Sequence, residues 1–219
     1  METIHIFGDS YAREYDYELY PYVWSNRLKS QFNIKNYAEG GTGPDWSLQK
    51  IINLVNEIED TSSYLIFCLT DIYRLNFRGF EPRDQFMVSK LLTRPEGDSA
   101  KDLKKLFKKY MRYRTMINVV YRHLLSYSSY HDTEILKIIL YVKFFSDKFK
   151  KILILPCFDE LTLTIDVLKK INENNFYVHS KSLFRYAEEI KGWYDERPNH
   201  LEKSQHTLLY NDILQILNA

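Results

Sequence analysis

A serine hydroxyl becomes a useful nucleophile when a base takes its proton and donors await the charge it creates on the attacked oxygen. Three stretches of this chain carry residues of those types. In IHIFGDSYA (residues 4–12) an alternating apolar run ends on Gly8-Asp9-Ser10, and YAEGGTGPDWSL (37–48) sets Gly40, Gly41 and Gly43 after a second apolar run. Near the carboxyl terminus, WYDERPNHLEKSQH (193–206) holds Asp195, His200 and His206. Ser10 could attack a carbonyl, and its own N–H could donate to the developing oxyanion. Gly41, having no side chain, lets backbone approach a substrate closely and offer a second N–H. Thr70 could add its hydroxyl.

Of the six histidines, His5 points to one side of a strand and His123 falls in a predicted helix. His200 differs, because Pro198-Asn199-His200 forms a stiff loop just before a terminal helix, with Asp195 five residues upstream. His206 lies inside that helix, where packing or capping is expected. Each signal has a plainer reading when taken alone. Gly-Asp-Ser after a strand is good turn chemistry, and Gly40-Gly41-Thr42-Gly43 is equally a flexible connection or a phosphate cradle. The latter stretch lacks the lysine of a P-loop and the spacing of a dinucleotide fingerprint.

Position and order give these residues their meaning, so the elements that carry them matter. Strands are predicted at Thr3–Phe7, Ile34–Ala38, Tyr64–Leu69, Lys151–Pro156 and Phe176–His179. All five are short and apolar, as parallel strands buried on both faces are. Helices are predicted at Pro21–Phe32, Trp46–Ile58 (with Asp45 as N-cap), Ala100–Ser126, Thr133–Phe149, Leu161–Asn172 and Gln205–Leu217, with a polar turn at Ser128–Tyr130. Alternating strands and helices imply a parallel sheet covered on both faces. In such sheets ligands gather outside the carboxyl ends of the strands. Gly8-Asp9-Ser10, Glu39–Gly43 and Thr70-Asp71 should therefore share one rim. A single domain spanning 1–219 is expected, with an irregular excursion around 76–98 as a lid or insertion.

Lys and Arg number 30 against 29 Asp and Glu, a net charge of +1, so no long-range field attracts nucleic acid or an anionic membrane. Cys68 and Cys157 sit in apolar runs and read as buried thiols of a reducing compartment. With neither a signal peptide nor a membrane span in the sequence, a soluble, cytoplasmic protein is expected, or one carried in a virion. The 18 tyrosines read first as half-buried packing positions, and second as ring faces for sugars or bases.

In order and position the blocks resemble those of the SGNH (GDSL-like) hydrolase superfamily. Gly8-Asp9-Ser10 matches the first block, with Ser10 as nucleophile, and residues 37–48 match the second, with Gly41 as oxyanion glycine. CLTDIYR (68–74) occupies the third, and NHLEKSQH (199–206) the last, with His200 as general base. GGTGPDWSL, LTDxxR and DxRPNHL are especially similar to phage-associated members. Thr70 stands where the family has an asparagine donor, and Arg197 stands where it has the acid. Asp195 is then the nearest carboxylate for the His200 ring, with a backbone carbonyl as the other candidate. Asp9, Asp71 and Arg74 read as rim residues that position substrate; Asp71 and Arg74 read equally as a structural ion pair. No Gly-x-Ser-x-Gly marks a conventional α/β-hydrolase.

The resemblance implies a three-layer α/β/α sandwich with a flavodoxin-like five-stranded parallel sheet. It implies a serine esterase, with neither metal nor organic cofactor, acting on a small acyl ester such as an O-acetyl sugar. A non-catalytic binding or structural module on the same fold, and an acyltransferase using the same serine, are the alternatives.

Overall fold

The computed structural model describes residues 1–58, 61–70, 128–161, 163–188 and 201–219. Five strands form in the five apolar runs: β1 (Thr3–Phe7), β2 (Asn33–Asn36), β3 (Tyr64–Leu69), β4 (Lys151–Pro156) and β5 (Phe176–Val178). They make one sheet in the order β2-β1-β3-β4-β5, and each neighbouring pair is parallel. Ile4 pairs with Ile34 on one side and Tyr64 on the other, and Ile152 pairs with Phe176. This is the flavodoxin-like order, in which successive crossovers leave β1 in opposite directions and open a crevice between β1 and β3.

Alternation along the strands fills two cores. Ile4, Ile6, Ile66, Cys68, Leu153 and Leu155 face one layer, made by α1 (Trp24–Leu28), α5 (Leu183–Glu188) and α6 (Lys203–Asn218). Phe7, Leu65, Phe67, Ile152 and Ile154 face the other, made by α2 (Pro44–Glu57), α3 (Ser128–Lys143) and α4 (Ile165–Ile171). All six β3 residues are buried, which explains a strand without polar alternation. Fully burying side chains such as Phe7 and Phe67 contributes about 1.5–3 kcal/mol each. The expected α/β/α layering is therefore present. No described helix is long and apolar enough to cross a membrane, and Cys68 and Cys157 are buried thiols.

Element ends depart from the sequence reading for identifiable reasons. Strand β2 stops at Asn36 rather than Ala38 because the Asn36 side chain takes the Ala38 N–H at 2.9 Å. Helix α1 is five residues long, not twelve. Before it, Asn26 Nδ2 donates to the carbonyls of Tyr15 and Tyr20, holding the preceding chain in turns. After it, Lys29, Ser30 and Gln31 bond three residues back instead of four. Pro44 opens α2 with Gly43 as N-cap, so Asp45 falls inside the first turn. Helix α3 absorbs the expected turn at Ser128–Tyr130 and gives way to a 3-10 turn at Ser146–Lys148. Helix α5 was not expected. The predicted helix at Ala100–Ser126 and the 76–98 excursion lie outside the described residues.

Candidate active site

The end of β1 is shaped by a glycine. Gly8 has φ +147°, and a β-carbon there would lie 2.7 Å from the Cys68 β-carbon and 3.0 Å from its carbonyl oxygen. Only a residue without a side chain lets β1 turn so tightly against β3. Asp9 then organises the turn. Its carbonyl accepts from the N–H groups of Ala12 (3.1 Å) and Arg13 (3.0 Å). One carboxylate oxygen accepts from Tyr11 N–H at 3.0 Å, and the other accepts from the Thr70 hydroxyl at 2.8 Å. Asp9 and Thr70 are fully buried, while Ser10, between Asp9 and Tyr11, keeps 8% of its surface exposed. The bond from Asp9 to Thr70 spans the crevice between β1 and β3.

The glycine-rich loop after β2 is sewn onto this turn. Glu39 N–H donates to the Gly8 carbonyl at 3.1 Å, and the Thr42 hydroxyl reaches the carbonyls of Gly8 (3.3 Å) and Glu39 (2.7 Å). Gly41 adopts φ +87°, a backbone that side-chain-bearing residues rarely take. A β-carbon on Gly40 would stand 3.9 Å from the Ser10 β-carbon, so this loop lies directly beside the serine. Ser10, Asp9, Gly41 and Thr70 thus converge on the carboxyl edge at β1 and β3.

Helix α6 brings the carboxyl-terminal segment to the same edge. Its last turn lies at the opposite edge, where Lys151, the first residue of β4, donates to the Ile216 carbonyl at 2.8 Å. Its first turns lie against α1, where His206 Nδ1 accepts the Trp24 N–H at 3.3 Å. The Trp24 indole in turn donates to the Tyr11 carbonyl at 3.3 Å, one residue beyond Ser10. Leu201 is buried in the same cluster as Tyr11. His200, Asp195, Asp71 and Arg74 lie outside the described residues.

Three histidines have described surroundings. His5 is stacked on Tyr37 beneath the α2–α3 layer. His206 is fully buried and engaged with Trp24. His179 follows β5, three strands from β1, a lateral separation of about 14 Å. There it joins Tyr186, whose hydroxyl donates to Asp212. Burial lowers the pKa of His179 and of His5, the latter to about 4.

Asn36 escaped the sequence reading. Its Nδ2 donates to the Ala12 carbonyl at 2.7 Å, fastening the far side of the serine turn to the end of β2. The signal was available, since Asn36 is a polar residue ending a strand on the ligand-binding edge. The contact from Trp24 to Tyr11 had no local signal.

No family model and no curated protein match the chain. Among solved structures, it is similar to a member of the lipolytic protein G-D-S-L family from Veillonella parvula DSM 2008. The identity is 16%, the TM-score 0.48, and the similarity covers 98% of this chain and 97% of that one. It is also similar to TesA, at 12% identity and a TM-score of 0.46, over 99% of this chain and 98% of the other.

Proposed function

We propose that this protein is a serine ester hydrolase in which Ser10 attacks a small acyl ester. The observation that carries this reading is the position of Ser10, on a turn between Gly8 and Thr70 with the Gly40–Gly41 loop beside it. The order of the sequence blocks supports it independently.

In the proposed reaction, His200 takes the Ser10 proton as Oγ bonds to the ester carbon, and Asp195 orients the imidazole. The carbonyl electrons move onto oxygen, where the amides of Ser10 and Gly41 donate to them. Collapse breaks the bond to the alcohol, which leaves with the proton from His200, and an acyl-serine remains. Water attacks that ester by the same steps and restores Ser10. Asp71 and Arg74 are assigned to substrate positioning at the rim. A short acyl group on a carbohydrate is the proposed substrate, because the segment after Ser10 carries the half-exposed Tyr17 and the partly exposed Tyr15, Tyr20 and Tyr22, and rings of this type stack on sugars.

Hydrolysis of p-nitrophenyl acetate by the wild type, Ser10→Ala and His200→Ala tests the assignment. Each variant should lose at least about 10³-fold in kcat with the fold intact, as expected when a nucleophile or its base is removed. Undiminished turnover in Ser10→Ala, or a phosphonate probe attached to another residue, overturns it. If the wild type turns over no acyl ester, the fold serves binding instead.

A further inference from the structure

The geometry points to Thr70 as a positioning residue that acts on Ser10 through Asp9, rather than as a donor to the oxyanion. The inference rests on the hydrolase reading above, but its structural half stands without it. A threonine hydroxyl has one proton. The Thr70 hydroxyl donates to Asp9 Oδ2 at 2.8 Å, so its one proton is committed to that contact. What remains on Thr70 Oγ1 are lone pairs, which would repel an oxyanion. Thr70 is also fully buried, whereas Ser10 retains some exposure.

The other Asp9 oxygen shows what the contact does. It accepts the Tyr11 N–H at 3.0 Å, so the carboxylate is gripped from β3 on one side and holds the residue after Ser10 on the other. Two hydrogen bonds, one to each oxygen of the Asp9 side chain, fix both the distance and the rotation of the Asp9-Ser10-Tyr11 turn. Each of these contacts is fully or largely removed from water, where unpaired groups are costly. The proposed oxyanion hole is then built from backbone amides alone, and the residue at the third block stiffens the nucleophile's turn.

A double-mutant cycle separates the two roles. Thr70→Val, Asp9→Ala and the double variant are compared for p-nitrophenyl acetate hydrolysis, with Thr70→Ser as the rescue. If Thr70 acts through Asp9, Thr70→Val lowers kcat roughly 10- to 100-fold with KM unchanged, as slight misplacement of a nucleophile does. Thr70→Ser restores most of the rate, and Thr70→Val costs almost nothing further in the Asp9→Ala background. An equal fold-loss in both backgrounds means direct donation to the substrate and overturns the inference. Amide hydrogen exchange supplies a second arm that needs no turnover. Exchange at Tyr11 N–H should quicken at least several-fold in Thr70→Val but not in Thr70→Ser. Unchanged Tyr11 exchange in a folded Thr70→Val protein overturns the linkage whether or not the wild type proves to be an esterase. Absence of turnover with altered exchange rejects the hydrolase reading while retaining the positioning contact.

Discussion

Gly8 is the residue on which the candidate site turns. Its φ of +147° and its contact with Cys68 are separate constraints, one on backbone conformation and one on space. Gly8→Ala would meet both. A strained φ costs on the order of 1–3 kcal/mol, and an overpacked methyl costs a similar amount. Urea denaturation should therefore show Gly8→Ala destabilised by about 3 kcal/mol, with the proposed esterase activity falling further because Ser10 lies two residues on. Adding Cys68→Ala should not restore stability. The 2.7 Å conflict is with the Cys68 β-carbon, which alanine retains, and the 3.0 Å conflict is with its carbonyl. Recovery in that double variant would place the conflict at the sulfur and contradict the geometry. Both the glycine and the serine could be read from the sequence, because a run of strand residues ending in Gly-Asp-Ser is a local pattern. The bond from Asp9 to Thr70 joins residues 61 apart, and no local pattern encodes it.

At the scale of elements, α1 and α6 depend on each other. Helix α1 is too short to be stable alone, and its N-cap Val23 has no side chain to take a backbone N–H. His206, 182 residues away, supplies the missing acceptor through Nδ1, so its proton resides on Nε2. His206→Phe keeps a ring in the site but removes the acceptor. The loss should resemble that of an N-cap, about 1–2 kcal/mol, with Trp24 amide exchange accelerated more than exchange in β3. Equal acceleration everywhere would mean general loosening and would reject the capping role. The bounds of β1, β3 and β4 were legible from sequence because burial on both faces leaves an uninterrupted apolar signature. Helix α1 was misjudged because its limits are set by Asn26 reaching back to Tyr15 and Tyr20. Asp45 looked like a cap, but Pro44 pre-sets the helical φ and moves the start two residues earlier.

The molecule as a whole carries a pH dependence set by histidines that the sheet and its helices keep neutral. His5 is 4% exposed, and its Nδ1 has no hydrogen-bond partner among the described residues. Tyr37 stacks on it, and Phe149 meets it edge-on. Burial first, then the charge of Lys35 on the neighbouring strand, pushes its pKa down to about 4. Burial lowers His179 as well, although a hydrogen bond to the Lys181 backbone and the charge of Asp212 pull the other way. In the unfolded chain both groups take a proton near pH 6.5. Between that value and about 4 the unfolded state therefore binds protons that the folded state refuses, and stability rises with pH through this window. The His5 contribution is complete above about pH 7 and falls as the solution is acidified, by about 2 kcal/mol at pH 5 and about 3 kcal/mol at pH 4. As the pH falls through the ordinary carboxylate range, the exposed Glu2 carboxylate, held below its usual pKa by Lys150, adds a further loss of the same sign. Urea midpoints at pH 7.5 and pH 5 measure the slope in the wild type and in His5→Phe, which keeps an aromatic ring against Tyr37 and has no proton to gain. The variant should lose most of the wild-type slope, leaving the share due to His179. Parallel slopes in the two proteins would show that His5 is protonated freely inside the fold, and that the space beneath β1 is wetter than its packing against Tyr37 and Phe149 implies.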